Sequence, residues 1–120
     1  RGLDPTSQLE GAIAEYGGAL EAAPGDPDSY DARASAHKKM GKWIAAQGRD
    51  PSGSYELALR DYAVVLERRP GEWTTWYDRG LLLETLGRSA DAAADFEEAF
   101  RLSGDPAPEA ALRRLREKPR

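Results

Sequence analysis

Apolar side chains recur at spacings of three, four and seven along almost the whole chain, and the pattern stops wherever proline and glycine gather. Leu9, Ile13, Tyr16 and Leu20 make the first stripe, which ends at Ala23-Pro24-Gly25. Tyr30, Ala34, His37 and Ile44 make the second, ending at Gln47-Gly48-Arg49. Tyr55, Leu59, Tyr62, Val65 and Leu66 make the third, closed by Arg69-Pro70-Gly71. Trp73, Trp76, Gly80 and Leu83 run to Leu86-Gly87, and Ala92, Phe96, Ala99 and Phe100 to Ser103-Gly104. Such spacing places the apolar residues on one face of an α-helix, and nowhere does the pattern change to the period of a strand. Asp50-Pro51 and Asp105-Pro106 read as helix starts, with Asp as the cap and Pro preset for the first turn. The second of these opens a short sixth helix through Leu112 and Leu115. Six helices joined by short turns are predicted, in antiparallel pairs.

The pattern also repeats at longer range. DPTSQLEGAIAEYGGALEAAPGD (4–26) lies over DPSGSYELALRDYAVVLERRPGE (50–72), a displacement of 46 residues. Asp4, Pro5, Glu10, Ala12, Tyr16, Leu20, Glu21, Pro24 and Gly25 recur identically, while Thr6/Ser52, Ile13/Leu59, Glu15/Asp61 and Asp26/Glu72 recur in kind. A unit of this size cannot bury its apolar face alone, so repetition implies that copies stack on one another.

Composition narrows the class without changing it. The 120 residues carry 17 basic and 21 acidic side chains, a net charge of −4 that argues against a general nucleic-acid footprint. No apolar run approaches the ~20 residues a membrane span needs. With no cysteine there is neither a disulfide nor a thiolate metal site. There is no initiating Met, secretory leader or lipidation motif, which reads as an excised piece; no compartment is indicated, and the cytoplasm is the default expectation. The run Arg113, Arg114, Arg116, Lys118 and Arg120 suits the C-terminal end of a helix.

WTTWYDRGLLLETLGRSADAAADFEEAFRL (73–102) resembles a tetratricopeptide repeat. Trp76, Gly80, Leu83 and Gly87 stand where that family has a large residue, a small one, an apolar one and a turn glycine. Ala92, Phe96 and Ala99 match its second helix, and Gly104 occupies the place of the closing proline. Tyr30, Ala34, His37 and Gly41 fit the first helix of an earlier copy, with Ala58, Tyr62, Val65 and Pro70 in its second. Tyr30 and Trp76 are 46 residues apart, whereas the family unit is about 34. The resemblance therefore implies twelve additional residues, placed near 42–54 as added helical turns and the loop GRDPSGS. Ala12, Tyr16, Ala19 and Pro24 are then what remains of a half repeat. The implied fold is an all-α antiparallel helix-hairpin stack, a right-handed α-solenoid of about two and a half repeats. It is organised as one domain: 5–26, the second helix of a truncated repeat; 27–70, the lengthened repeat; 71–104, a regular repeat; and 105–120, a capping helix with a basic tail.

The residues offer little for catalysis. His37 is the only histidine, so histidine dyads, catalytic triads with cysteine and His-rich metal sites are excluded; it reads as a half-buried packing residue. Asp26, Asp28 and Asp31 miss the spacing of a calcium loop and read as charge at a helix N-terminus. Glu97-Glu98 and Asp91/Asp95 read as an exposed carboxylate face. Gly17-Gly18 lies mid-helix and is no phosphate loop; two glycines there imply either fraying or a closely packed neighbour. No catalytic residue, metal or cofactor is expected, and the chain is not read as an enzyme.

In tetratricopeptide stacks the first helix of each pair lines a groove that takes peptides. The resemblance puts Asp28, Asp31, Ala32, Ser35, Lys38 and Lys39 on one such helix, and Thr74, Tyr77, Asp78, Leu81, Glu84 and Thr85 on the next. Trp43, at the start of the added segment, and Trp73 are further candidates for contact. The partner-binding set is therefore Asp28, Asp31, Ser35, Lys39, Trp43, Tyr77, Asp78, Leu81 and Glu84. Acidic and aromatic lining suits a neutral or basic peptide. A carboxylate clamp for chaperone tails needs Lys, Arg and Asn where Asp31, Ser35, Tyr77 and Asp78 stand, which speaks against that mode. The expected function is a protein–protein interaction module. The alternatives are a self-association element forming a homo-oligomer, or a regulatory segment of a larger enzyme, with no role on nucleic acid or membrane.

Overall fold

Four of the six helices begin in one way. Asp4, Asp26, Asp50 and Asp105 each precede a proline and accept the backbone N–H two residues on, from Thr6, Asp28, Ser52 and Ala107, at 2.8, 3.3, 3.0 and 2.9 Å. The carboxylate satisfies an amide the helix would leave bare, and the proline fixes the first turn. Hydrogen bonds from the side chains and backbones of Thr6 and Ser52 hold the Asp4 and Asp50 carboxyls below their ordinary pKa. The computed structural model describes residues 4–117; Lys118 and Arg120 of the basic run lie outside them. Its helices are α1 (Thr6–Ala22), α2 (Pro27–Ala46), α3 (Ser52–Arg68), α4 (Trp73–Thr85), α5 (Ser89–Ser103) and α6 (Pro106–Glu117). These are the six the apolar stripes predict, with no strand among the described residues.

The chain divides into two compact units, Arg1–Arg68 and Arg69–Arg120. In the first, α1 packs on α2, and α2 pairs with α3 as a hairpin. Ala34, Tyr55, Ala58, Tyr62 and Val65 are its buried centre. In the second, α4 pairs with α5, and α6 packs on α5, around Leu82, Leu83, Ala92, Phe96, Ala99 and Ala111.

Each hairpin is tied by an arginine–aspartate pair of the same form. Arg33 on α2 donates from Nε and Nη2 to the two oxygens of Asp61 on α3, both at 2.8 Å. Arg79 on α4 does the same to Asp95 on α5, at 2.7 and 2.9 Å. The aspartate side chains are only 5% exposed in both cases, so Asp95 faces α4 and is not part of the exposed carboxylate face expected of it. Two parallel N–H···O bonds are what allow a carboxylate to be buried there at all. Arg33 and Asp61 are 28 residues apart and Arg79 and Asp95 only 16, a difference of 12. Past its arginine α2 runs 13 residues to Ala46, whereas α4 runs 6 to Thr85, so seven of the twelve extend α2. The rest lengthen the turn by two residues and the start of α3 by three.

The longer hairpin corrects one assignment. Sequence alignment gave Gly41 the part of the turn glycine Gly87, but Gly41 lies inside α2 and Gly48 makes the turn. Gly48 and Gly87 have φ of 77° and 79°, which favours glycine. Their N–H groups bond Ala45 O at 2.9 Å and Glu84 O at 3.0 Å, and the arginine after each bonds Ile44 O at 3.1 Å and Leu83 O at 2.9 Å. Gly41 instead admits the buried Tyr55 ring against the α2 backbone, because a Cβ at that point would overlap it. Gly80 similarly admits Phe96, whose ring lies 2.6 Å from where a Cβ would stand.

Gly17 and Gly18 have no close neighbour among the described residues. α1 runs unbroken from Thr6 to Ala22, and nothing lies within 4 Å of a Cβ built on either glycine.

Candidate functional site

The first unit contains a cleft between α1 and α2 of about 370 Å³. Leu9, Ala12 and Tyr16 line it from α1, while Asp31, Ser35 and Lys39 line it from α2. The helical period explains the gathering: Asp31, Ser35 and Lys39 are four residues apart and share one stripe of α2. The cleft thus has an apolar wall ending in a phenol and an opposite wall carrying both signs of charge. Ala32 also lines it, and Asp28 is exposed in the first turn of α2, where its amide caps on Asp26. Asp26 also accepts from Ser29 Oγ at 2.8 Å, so two members of the acidic turn serve the helix start. Trp43 lies half-buried in the last turn of α2 and is not among the cleft-lining residues.

His37 sits on the neighbouring face beside the Arg33–Asp61 pair. Burial lowers its pKa below the ordinary histidine value; Asp61 opposes this and Arg33 reinforces it. The imidazole is therefore a neutral packing group at neutral pH, in the position that apolar Leu83 has in α4.

In the second unit the candidates have mixed surroundings. Tyr77 lies half-buried between two rings, with centroids 6.2 Å from Trp73 and 5.8 Å from Phe96. Trp73, offered above as a contact residue, thereby covers Tyr77. Glu84 faces α6: Arg114 Nε donates to its Oε2 at 3.0 Å, and the Glu84 side chain is 15% exposed. That hydrogen bond raises the Arg114 pKa. Glu84, Ala110, Arg113, Arg114 and Glu117 border a second cleft of about 480 Å³. Asp78 and Leu81 are half-buried on α4, and Thr85 donates to Leu81 O at 3.0 Å.

Sequence reasoning thus placed Asp31, Ser35 and Lys39 on the face where they meet. It did not place Leu9 at the cleft, nor Ala12 and Tyr16, which it read as packing signatures. The available signal was that Leu9, Ala12 and Tyr16 recur at helical spacing on one face of α1. Among the described residues no group of acidic or histidine side chains is arranged to hold a metal, and no helix is long and apolar enough to cross a membrane.

No protein-family model matches the chain, and no curated protein does. A solved structure described as the first TPR of Spaghetti (RPAP3) bound to HSP90 peptide SRMEEVD matches it with a TM-score of 0.74. The match covers 93% of this chain and 80% of that one at 18% identity. The chain therefore has the tetratricopeptide-repeat fold. That neighbour holds an acidic chaperone peptide, which is at odds with the expectation that such tails do not suit this chain.

Proposed function

We propose that this chain is a non-catalytic protein-interaction module that takes a peptide segment in the α1–α2 cleft. The observation that carries the reading is the convergence of Asp31, Ser35 and Lys39 on Leu9, Ala12 and Tyr16 within one open cleft of a tetratricopeptide-repeat fold. Pockets that hold ligands combine an apolar wall with a few placed polar groups, and this cleft has both. The chain is read as a half repeat (5–26), a lengthened repeat (27–70), a regular repeat (71–104) and a capping helix with its tail (105–120). Asp28 and Asp31 at one end of the α2 stripe favour a neutral or basic segment, with Lys39 fixing its direction by holding an acidic or carbonyl group.

The neighbour's acidic peptide supplies the opposing case, so the two belong in one experiment. Fluorescence anisotropy is to be read for a labelled basic peptide and for SRMEEVD, each against wild type, Asp31→Lys and Lys39→Glu. The reading expects the basic peptide to bind and to weaken about tenfold with Asp31→Lys. Tighter binding of SRMEEVD, abolished by Lys39→Glu, would reverse the charge preference. Indifference of every peptide to both substitutions would remove the cleft from the function.

A further inference from the structure

The two complete hairpins are tied alike and differ at one packed position. In each, an arginine forks onto a buried aspartate, Arg33 onto Asp61 and Arg79 onto Asp95. Each guanidinium also lies over an aromatic ring three residues earlier on its own helix, Tyr30 at 5.5 Å and Trp76 at 5.3 Å. Both rings are held in turn: Tyr30 Oη donates to Pro24 O at 3.3 Å and Trp76 Nε1 to Pro70 O at 2.9 Å. Four residues after the arginine, on the same helix face, stands Leu83 in α4 but His37 in α2. Leu83 is 5% exposed within the apolar centre of its unit, and His37 is half-buried. The first hairpin therefore has a titratable ring where the second has a hydrocarbon.

What surrounds the ring decides what a proton does there. Loss of water is the largest influence on His37 and disfavours its charged form. Asp61 of α3 draws a proton to the ring, and Arg33 of α2, forked onto that same aspartate, repels one. No charged group of α1 acts on it among the described residues. The packed face thus accepts the neutral imidazole. A charged ring gains hydration as α2 and α3 part, whereas Leu83 gains nothing from the same movement in α4 and α5. His37 is the only histidine of the chain, so the second unit has no counterpart.

We propose that His37 makes the first unit a pH-sensitive latch: in mildly acidic solution its protonation favours local opening of the α2–α3 hairpin, while the α4–α5 hairpin stays closed. The opening helix carries Asp31, Ser35 and Lys39, so a segment held in the α1–α2 cleft is released in acid. That consequence rests on the interaction-module reading; the latch itself does not.

The test is amide hydrogen exchange of the intact chain at pH 7.5 and 5.5, each rate referred to that of an unstructured amide at the same pH. In wild type, protection of α2 and α3 should fall about threefold in acid relative to α4 and α5. In His37→Leu and His37→Gln the two hairpins should stay in step. The glutamine keeps a polar side chain that does not titrate, which separates the proton from the shape of the ring, and circular dichroism checks both folds. An equal loss in both hairpins would overturn the latch, as would a selective loss that survives in His37→Gln. The single imidazole resonance gives the titration directly, and opening that does not follow its curve would overturn the latch too. A labelled basic peptide bound at pH 7.5 should leave wild type at pH 5.5 and stay on His37→Gln. If the peptide binds while exchange ignores pH, the latch falls and the interaction module stands. If no peptide binds at pH 7.5, the module reading falls and exchange still decides the latch.

Discussion

Glycine has opposite meanings at different places in these helices, and the difference is decided by what a methyl group would meet. At Gly18 it meets nothing within 4 Å, so Gly18→Ala should raise stability by about 0.5–1 kcal/mol through lower backbone entropy in the unfolded chain. At Gly41 and Gly80 it meets the rings of Tyr55 and Phe96, so the same change should cost about 1–3 kcal/mol. Urea unfolding midpoints of the three variants test both signs together. Sequence showed that glycine at 17–18 was unusual but not why, since open space around a residue leaves no mark on the chain. His37 offers a second residue-scale test. Its pKa is lowered in the fold, chiefly by burial, so on acidification the unfolded chain takes a proton that the native imidazole resists. Its stabilising contribution is full above the ordinary value of about 6.5 and is lost as pH falls through that value towards the lowered one. Thermal melts at pH 7.5 and 5.5 should show a loss in wild type that is smaller in His37→Leu.

Among the helices themselves, starts, stops and antiparallel pairing were legible, while the side-chain ties between paired helices were not. Asp-Pro at four starts and Gly48, Gly87 and Gly104 at three ends are local chemistry, readable from a few neighbouring residues. The Arg33–Asp61 and Arg79–Asp95 pairs depend on how far each hairpin runs before turning, and so escaped a reading by spacing. Tyr77 and Glu84 were assigned to a groove from the resemblance, while their neighbours Phe96 and Arg114 come from other helices. Because each buried aspartate has one arginine, Arg33→Met and Arg79→Met should each cost about 3 kcal/mol. Chemical denaturation measures this, and a cost below about 1 kcal/mol would mean water replaces the guanidinium readily.

At the scale of the molecule, the fold was visible in the sequence because the repeat is written in residue types that packing demands: small against aromatic, and glycine at the turn. The α1–α2 cleft proposed for binding was visible only in part, as Asp31, Ser35 and Lys39, because its other wall belongs to α1. The proposal of surface recognition of another protein rests on the tetratricopeptide-repeat fold and the α1–α2 cleft. The most direct test of it is a map of amide chemical shifts in the ¹⁵N-labelled chain as a basic peptide is added. Shifts should concentrate on residues 9–16 of α1 and 31–39 of α2 and saturate together. Shifts confined to Glu84 and the 110–117 segment, or none at all, would contradict the account.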